Sequence, residues 1–259
     1  MRIIQDDGEA LGRFATDLIA ERIADRPDAV IGLATGSSPI PIYVEMARRV
    51  AAGTLDLSSV RFFALDEYVG LAADHPMSYR AFLDDHVVGP CNLDPAQLTV
   101  LNGKAADPVA ECADYEQAIS AAGGIDLQLL GIGHNGHIGF NEPTSSFASR
   151  TRVVALTHQT VDANARFFDD DAEDVPLLAL SQGIGTILEA GRLVLIATGA
   201  GKAPAIRSAI EGELTSSVPA SALQLHPKVT FLVDEFAGSM LARVDFYRRE
   251  RQIIPGYGH

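Results

Sequence analysis

The sequence contains few cysteines and few basic residues, and both shortages narrow the class of protein. Its two cysteines, Cys91 and Cys112, are too few for a disulfide framework and indicate a reducing compartment. The 20 lysines and arginines stand against 34 aspartates and glutamates, which gives a formal net charge of −14 with neutral histidines. Because such a surface repels phosphate backbones and anionic lipids, we expect neither nucleic acid nor a membrane as partner.

Long hydrophobic runs and targeting segments are also missing. No apolar run reaches the roughly 18 residues that a membrane-spanning helix needs, and the first residues do not have the layout of a secretory signal peptide. The sequence has no internal repeat, low-complexity tract or Pro/Ser-rich linker. The length of 259 residues allows one large α/β domain or two small ones. We expect a cytoplasmic protein in which residues 1–259 form one domain.

Strand and helix signals alternate along the chain. Short apolar runs predict buried strands at residues 29–34, 60–65, 98–101, 125–130, 152–156, 193–197 and 229–233. Periodic segments predict helices that include residues 8–24, 78–88, 158–168 and 236–249, and residues 176–190 are predicted to be helical in part. This alternation predicts an α/β fold with a doubly wound, mainly parallel sheet and helices on both faces.

A glycine-rich loop, residues 131–143, follows the predicted strand at residues 125–130. Four glycines in nine residues exclude regular structure and allow the backbone to approach a ligand closely. The loop also carries Asn135, His137, Asn141 and Glu142. Open α/β sheets bind ligands just beyond the carboxyl ends of their strands. We therefore favour a catalytic loop in which His137 acts as acid and base.

The same loop has the spacing of a dinucleotide-binding fingerprint, which is one alternative. Gly131, Gly133 and Gly136 spell G-x-G-x-x-G. That motif opens a helix, which Gly139 and Pro143 would interrupt here, and no acidic residue lies near position 152 to bind a ribose. We therefore expect a Rossmann-like sheet without a dinucleotide.

Two further alternatives for the loop are a metal site and a plain connection. His134, His137 and Glu142 carry ligand atoms, but no Asp/Glu/His cluster elsewhere in the sequence obviously completes a metal shell. Loops at strand ends also often serve only as connections. We expect neither a metal nor an organic cofactor.

Two other strand-to-helix turns have the composition of anion-binding sites. Thr35-Gly36-Ser37-Ser38 supplies backbone N–H groups and hydroxyls at a helix N-terminus. The turn at residues 198–202 adds the cation of Lys202. It is not a Walker loop, because Ile196 occupies the place of the first glycine and Ala203 supplies no hydroxyl. A tight turn without ligand is the alternative for each.

Asp66 follows the apolar run at residues 60–65 and is a candidate general base. Desolvation at the edge of an apolar strand raises the pKa of a carboxyl, which suits a base. The alternatives are a helix cap or the partner of an arginine. Glu67 cannot face the same way, and we interpret it as structural. Arg166, near the end of the helix predicted at residues 158–168, is either a surface cation or a phosphate ligand.

Six segments of the sequence together resemble the glucosamine-6-phosphate deaminases. The segments are residues 34–39, 65–71, 136–143, 149–152, 164–168 and 223–228. The match is colinear over nearly the whole chain, and its most specific parts are Asp-Glu-Tyr-Val-Gly-Leu and Gly-His-Ile-Gly-Phe-Asn-Glu-Pro. The 6-phosphogluconolactonases share the fold and a Gly-His loop within the wider superfamily.

The resemblance implies conversion of glucosamine 6-phosphate and water into fructose 6-phosphate and ammonia without a cofactor. By position, His137 assists opening of the pyranose ring, and Asp66 moves a proton between C2 and C1. Glu142 orients His137, and Asn135 completes the group. The residues that the resemblance assigns to the phosphate are Thr35, Gly36, Ser37, Arg166 and Lys202.

Asn135 departs from the better-known form of this family, which carries aspartate there. An amide can orient His137 but cannot share a proton with it. The alternatives from the resemblance are a lactonase or isomerase for another sugar phosphate, and a sugar-phosphate sensor. The first predicted strand begins at residue 2, which leaves no room for a DNA-binding helix-turn-helix. A preference for galactosamine 6-phosphate stays open.

The resemblance also bears on assembly and regulation. Hexameric members are activated by N-acetylglucosamine 6-phosphate between subunits, and this chain retains Ser145 and Arg152 of that site. Val154 stands where the activated form carries lysine. We therefore expect weak or absent activation. The resemblance leaves a hexamer and a monomer open, and we favour a homo-oligomer.

Overall fold

The computed structural model describes residues 2–165, 168 and 171–253. The strands are β1 (Arg2–Gln5), β2 (Val30–Leu33), β3 (Arg61–Ala64), β4 (Asp66–Tyr68), β5 (Leu98–Thr99), β6 (Leu127–Leu130), β7 (Arg152–Ala155), β8 (Leu178–Ser181), β9 (Leu193–Ala197) and β10 (Val229–Val233). The helices are α1 (Gly8–Asp25), α2 (Ile40–Ala51), α3 (Tyr79–Leu83), α4 (Pro108–Ala121), α5 (His158–Asn164), α6 (Ile184–Leu188), α7 (Ala203–Glu211) and α8 (Val244–Ile253).

Seven strands form one sheet in the order β1-β10-β9-β6-β2-β3-β5. Every neighbouring pair in this sheet is parallel, and in the central pair Ile31 of β2 lies opposite Leu127 of β6. All the strands therefore end at the same edge of the sheet. The loops after β2, β3, β6 and β9 meet there, as the sequence predicted for a mainly parallel sheet.

Both faces of this sheet are covered by helices, which explains why its strands are apolar throughout. Along β9, Leu193 and Leu195 face a layer that includes α4 and α7, whereas Val194 and Ile196 face a layer that includes α1 and α2. All five residues of β9 are buried. Strands buried on both faces lose the polar alternation of a half-exposed strand. The predicted doubly wound α/β fold is confirmed.

A second, three-stranded antiparallel sheet, in the order β4-β8-β7, was not predicted. Residues 178–181, expected to be helical in part, form its central strand β8, and α6 follows only at Ile184. A short apolar run does not distinguish a strand from a buried helix by periodicity. Here β8 pairs with both β4 and β7, so the strand form satisfies its backbone on both sides. This pairing sets Asp66 opposite Ser181.

Two helix boundaries also differ from the prediction. The last helix begins at Val244 rather than at residue 236, and residues 235–243 consist mostly of turns. In this segment the Asp234 carboxylate accepts the N–H of Ala237 at 2.6 Å, and the Glu211 carboxylate accepts the N–H groups of Ala242 and Arg243. The helix predicted at residues 78–88 divides into α3 and one π-helical turn, Asp84–Val88. None of the helices in the described ranges combines the length and hydropathy of a membrane crossing.

Candidate active site

A cavity of about 400 Å³ opens at the carboxyl edge of the parallel sheet. This volume lies within the range of small-molecule sites, roughly 300–1,000 Å³. Its walls come from the strand-end loops, from α3 and from α5. The predicted site residues that line it are Thr35, Gly36, Ser37, Asp66, Asn135, His137 and Lys202. Glu142 contacts His137 at 3.6 Å without lining the cavity, and Arg166 lies outside the described residues.

Asp66 is the first residue of β4, and its carboxylate is buried without compensation. Only 5% of the residue is exposed, and within the described chain its Oδ1 has no hydrogen-bond partner. Burial, together with the negative charge of Glu67, raises the pKa of Asp66 well above its ordinary value. A poorly solvated carboxylate is a stronger base than one in water. The geometry therefore fits a proton acceptor better than a helix cap or an ion-pair partner.

Gly139 brings the backbone of the loop close to Asp66 and Ser181. Its φ is +56°, in the left-handed region. A Cβ at this position would lie 2.8 Å from Ser181 Oγ and 3.5 Å from Asp66 Oδ2. Any side chain here would be strained and would press on Ser181 Oγ, while it would meet the carboxylate at an ordinary van der Waals distance. The glycine of the Gly-His-Ile-Gly segment therefore keeps the loop close to the base.

His137 is held by a tight turn of the same loop. The N–H of Gly133 donates to the carbonyl of His137 at 2.9 Å. A Cβ at Gly133 would lie 2.2 Å from the imidazole Cε1, so only glycine accommodates the ring. The side chain keeps 20% of its surface exposed toward the cavity, and its Nδ1 lies 3.6 Å from Glu142 Oε2. That distance is longer than a hydrogen bond.

Glu142 is fixed by donors on both of its oxygens. Asn135 Nδ2 donates to Oε2 at 2.6 Å, Thr157 Oγ1 donates to Oε1 at 3.2 Å, and Thr160 Oγ1 also donates to Oε1. Burial by itself raises the pKa of this carboxyl, but His137 and the hydrogen bonds from Thr160 and Asn135 lower it to about 2. Glu142 is therefore an anion throughout the neutral range and presents a fixed negative charge to His137.

Asn135 connects the members of this group. Its Oδ1 accepts the backbone N–H of His137 at 3.2 Å while its Nδ2 donates to Glu142. An amide can make both contacts at once, whereas a carboxylate could donate to Glu142 only when protonated. Asn135 thus orients the histidine loop and its carboxylate without adding a charge.

The two predicted anion-binding turns line the same cavity. Thr35, Gly36 and Ser37 precede α2, and the φ of Gly36 is +92°. The second turn is a single 3-10 turn, Ala200–Lys202, that leads into α7. Lys202 is half-buried, and its Nζ donates to the carbonyl of Ile132 at 2.7 Å. Hydroxyls, loop amides and an ammonium that line one cavity fit a phosphate group.

Known proteins resemble this chain over nearly its full length. Residues 6–232 match the family described as glucosamine-6-phosphate isomerases/6-phosphogluconolactonase. The glucosamine-6-phosphate deaminase of Cellvibrio japonicus is 51% identical over 253 residues, which cover 96% of each chain. That of Bifidobacterium longum subsp. infantis is 53% identical over 249 residues, 93% of this chain and 91% of the other. The chain belongs to the glucosamine-6-phosphate deaminase family.

Solved structures agree with this family membership. A monomeric glucosamine-6-phosphate deaminase superposes with a TM-score of 0.90 at 43% identity, over 93% of this chain and 100% of the other. The 6-phosphogluconolactonase of Trypanosoma cruzi reaches a TM-score of 0.75 at 20% identity, over 93% and 97% of the two chains. The similarity between this chain and the lactonase therefore extends to the fold alone. The resemblance to deaminases inferred from the sequence is confirmed.

Ser145 and Arg152, which the resemblance assigns to a regulatory site, do not line the cavity. Arg152 donates from Nη1 to Asn141 Oδ1 at 2.8 Å and from Nη2 to Ser145 Oγ at 3.0 Å. Val154, on the same strand, is 9% exposed and packs in a cluster with Tyr68 and Phe140. The guanidinium of Arg152 is therefore already bonded within its own chain.

Thr157 and Thr160 contact the candidate active site, but the sequence did not predict them as site residues. Thr157 caps α5 by accepting the N–H of Thr160, a common role for threonine before a helix. The sequence indicates such a cap, but not that both hydroxyls reach Glu142. Only the pairing of β7 with β8 and the packing of α5 bring them there.

Within the described ranges, no three His, Cys, Asp or Glu side chains are grouped as ligands of a metal ion would be.

Proposed function

We propose that the protein converts glucosamine 6-phosphate and water into fructose 6-phosphate and ammonia. The observation that carries this proposal is one cavity lined by His137, by two candidate anion-binding turns and by a buried Asp66 whose Oδ1 has no hydrogen-bond partner among the described residues, with Glu142 in contact with His137. The roughly 50% identity to deaminases over nearly the whole chain supports the same reaction. The buried free thiols Cys91 and Cys112 suit the reducing cytoplasm, which stays the predicted location.

Binding of the phosphate positions the reacting carbons. Lys202 supplies a charge, and the turn from Thr35 to Ser37 supplies hydroxyls and backbone N–H groups. The net charge of −14 opposes an anionic substrate, so these local donors must outweigh the overall field. Energy gained at this remote group is used to hold C1 and C2 beside the base.

Ring opening is the first chemical step, and we assign it to His137. The imidazole takes the proton of the C1 hydroxyl and returns a proton to the ring oxygen, which yields the open aldehyde. Glu142 stabilises the imidazolium that forms in between, and Asn135 keeps the loop in register. Histidine suits this exchange because it changes charge between pH 5 and 8.

Proton transfer between C2 and C1 is the second step, and we assign it to Asp66. The carboxylate removes the C2 proton to form a 2-amino enol, and the same proton is returned to C1. The product is the 2-imino form of fructose 6-phosphate. Water adds at C2 and ammonia leaves, so that the nitrogen of the substrate is replaced by oxygen. The base is effective here because its surroundings solvate the carboxylate poorly.

The choice between this reaction and its alternatives can be made with three substrates. We expect turnover of glucosamine 6-phosphate to exceed hydrolysis of 6-phosphogluconolactone by several orders of magnitude. Turnover of galactosamine 6-phosphate in the same assay measures which configuration at C4 the protein prefers. Hydrolysis of the lactone without release of ammonia would favour a lactonase. Binding of all three without turnover would favour a sensor.

Replacement of Lys202 with alanine is expected to raise KM with a smaller change in kcat. The substitution removes a charge-assisted contact worth about 1.5–3 kcal/mol, which corresponds to roughly ten- to a hundredfold in KM. Steady-state kinetics with glucosamine 6-phosphate measure KM and kcat of the variant. Lys228→Ala is the matched control, because Lys228 lies exposed before β10 at the amino edge of the sheet. Equal KM values for both variants would place the phosphate elsewhere.

We expect near-hyperbolic kinetics and little response to N-acetylglucosamine 6-phosphate. A ligand activates only by binding two states differently. Ser145 and Arg152 bond to each other here, and a valine replaces the lysine at position 154, which removes a contact of about 1.5–3 kcal/mol. Initial rates with and without this ligand test the expectation. Sigmoidal kinetics that micromolar ligand abolishes would show that the inference from Val154 is wrong.

The oligomeric state stays a prediction. A homo-oligomer is expected, although one similar protein of known structure is described as monomeric. Light scattering across a concentration series measures the state directly.

A further inference from the structure

Glu67, which the sequence indicated to be structural, is bonded to the segment that forms one wall of the cavity. It is 2% exposed and follows Asp66 in β4, so the two side chains leave opposite faces of the strand. Its Oε1 accepts the backbone N–H of Tyr68 at 2.8 Å and of Tyr79 at 3.1 Å. Its Oε2 accepts the N–H of Arg80 at 3.1 Å. One carboxylate thus joins β4 to the first turn of α3.

The bonded turn carries an aromatic side chain into the cavity wall. Tyr79 lines the cavity together with Tyr68 and Phe140. Its ring lies 5.0 Å from that of Tyr68 and stacks on that of Phe140 at 5.8 Å with an interplanar angle of 9°. Because the N–H of Tyr79 is bonded to Glu67, the position of this wall depends on that carboxylate.

The charge of Glu67 also acts on the base. In the described part of the chain, Glu67 is the charged side chain that raises the pKa of Asp66, in addition to burial. Among the described residues, Asp66 also interacts with the phenols of four buried or half-buried tyrosines. They are Tyr43 of α2, Tyr68 of β4, Tyr79 of α3 and Tyr115 of α4. These phenols are neutral near pH 7, because the pKa of Tyr68 is raised to about 12 and burial raises the others.

We infer that Glu67 is a positioning residue for the reaction: its buried carboxylate holds the α3 wall of the cavity against β4, and its charge acts on the neighbouring Asp66, which takes the C2 proton. Burial raises the pKa of Glu67, and the three N–H donors oppose that rise by stabilising the ionised form. In the low-dielectric surroundings, its charge opposes a second negative charge on Asp66 more strongly than it would in water. This inference rests on the proposed function for the identity of the proton.

Two variants of Glu67 separate the effect of its charge from the effect of its side-chain length. Glu67→Gln keeps the length and removes the charge. We expect the acid limb of the kcat–pH profile to move to lower pH and kcat at neutral pH to fall roughly 3- to 30-fold, a part of the roughly 10²–10⁴-fold that a positioned base contributes. Glu67→Asp keeps the charge but shortens the reach. We expect its acid limb to stay in place while KM rises.

Asp84→Asn is the matched control for loss of a carboxylate. Asp84 follows α3 and pairs with Arg80 at 2.8 Å. Its replacement removes a negative charge from the same segment but not from beside the base, so the acid limb should stay in place. If Glu67 is only a helix cap, Glu67→Gln will lower the melting temperature without moving the acid limb, and the inference is then wrong.

Titration of the carboxyl groups by ¹³C NMR tests the inference without turnover. The Asp66 resonance is assigned by its loss in Asp66→Asn. We expect it to titrate above the usual aspartate range in the wild type and in Glu67→Asp, and lower in Glu67→Gln. An Asp66 that titrates in the usual range in the wild type overturns the inference even if Glu67→Gln does not fold. A raised titration in a protein without deaminase activity would overturn the proposed function and leave this coupling intact.

Discussion

Asp66→Asn is expected to lower kcat by about 10²–10⁴ while KM stays within a few-fold of the wild type. The amide has the size and shape of the carboxylate but cannot accept the C2 proton. Substrate contacts at the phosphate turns are unchanged, so ground-state binding should persist. Steady-state assays of ammonia release, together with binding of glucosamine 6-phosphate by calorimetry, measure both quantities. A kcat near that of the wild type would mean that Asp66 is structural.

The same variant has an expected effect on stability that separates function from folding. A buried carboxylate whose Oδ1 has no partner in the described chain costs free energy, and a neutral amide costs less. We therefore expect the melting temperature of Asp66→Asn to equal or exceed that of the wild type. Strained or poorly compensated groups at active sites often oppose stability in this way. A lower melting temperature would indicate that the carboxylate holds the fold together.

Glu142→Gln is expected to lose about 3 kcal/mol of unfolding free energy at pH 7, because its carboxyl has a pKa lowered from 4.5 to about 2 in the folded protein. A carboxyl whose pKa is lower in the folded than in the unfolded protein stabilises the fold at pH values above its unfolded-state pKa. That contribution is fully present above about pH 5 and declines as the pH falls through 2. The difference between wild type and variant should therefore shrink between these limits. Urea unfolding at a series of pH values measures it.

Glu189→Gln is the control for this experiment. Glu189 forms an ion pair with Arg150, but its side chain is 67% exposed, whereas that of Glu142 is largely buried. Exposed ion pairs contribute about 0–1 kcal/mol, so this variant should differ little from the wild type at any pH. A pH-independent loss in Glu142→Gln would mean that the carboxylate acts through packing rather than through its charge.

Much of the fold could be predicted from the sequence, because a doubly wound sheet produces a strong pattern of hydrophobic residues. Strands such as β9 are buried on both faces and form continuous apolar runs, and the periodic helices between them indicate parallel crossovers. Parallel strands end at one edge, so the loops that carry Asp66, His137 and Lys202 were expected to meet. The structure does bring these three side chains to one cavity.

The second sheet and the contacts that surround the candidate site were less accessible to sequence reasoning. The run that forms β8 is short and apolar, and its strand form depends on pairing with β4 and β7, which are distant in sequence. The hydrogen bonds between Glu67 and the N–H groups of Tyr79 and Arg80 likewise join β4 to α3, which a loop separates in the sequence. Such contacts leave no local periodicity, and only the tertiary fold determines them.

Simultaneous measurement of ammonia and fructose 6-phosphate from glucosamine 6-phosphate is the decisive test of the proposed reaction. Wild type, Asp66→Asn and Lys202→Ala are incubated with the substrate in a metal-free buffer, and both products are followed in time. We expect equimolar products from the wild type, nearly none from Asp66→Asn, and recovery of Lys202→Ala at high substrate concentration. Absence of ammonia from the wild type, or equal rates for wild type and Asp66→Asn, would contradict the proposed reaction.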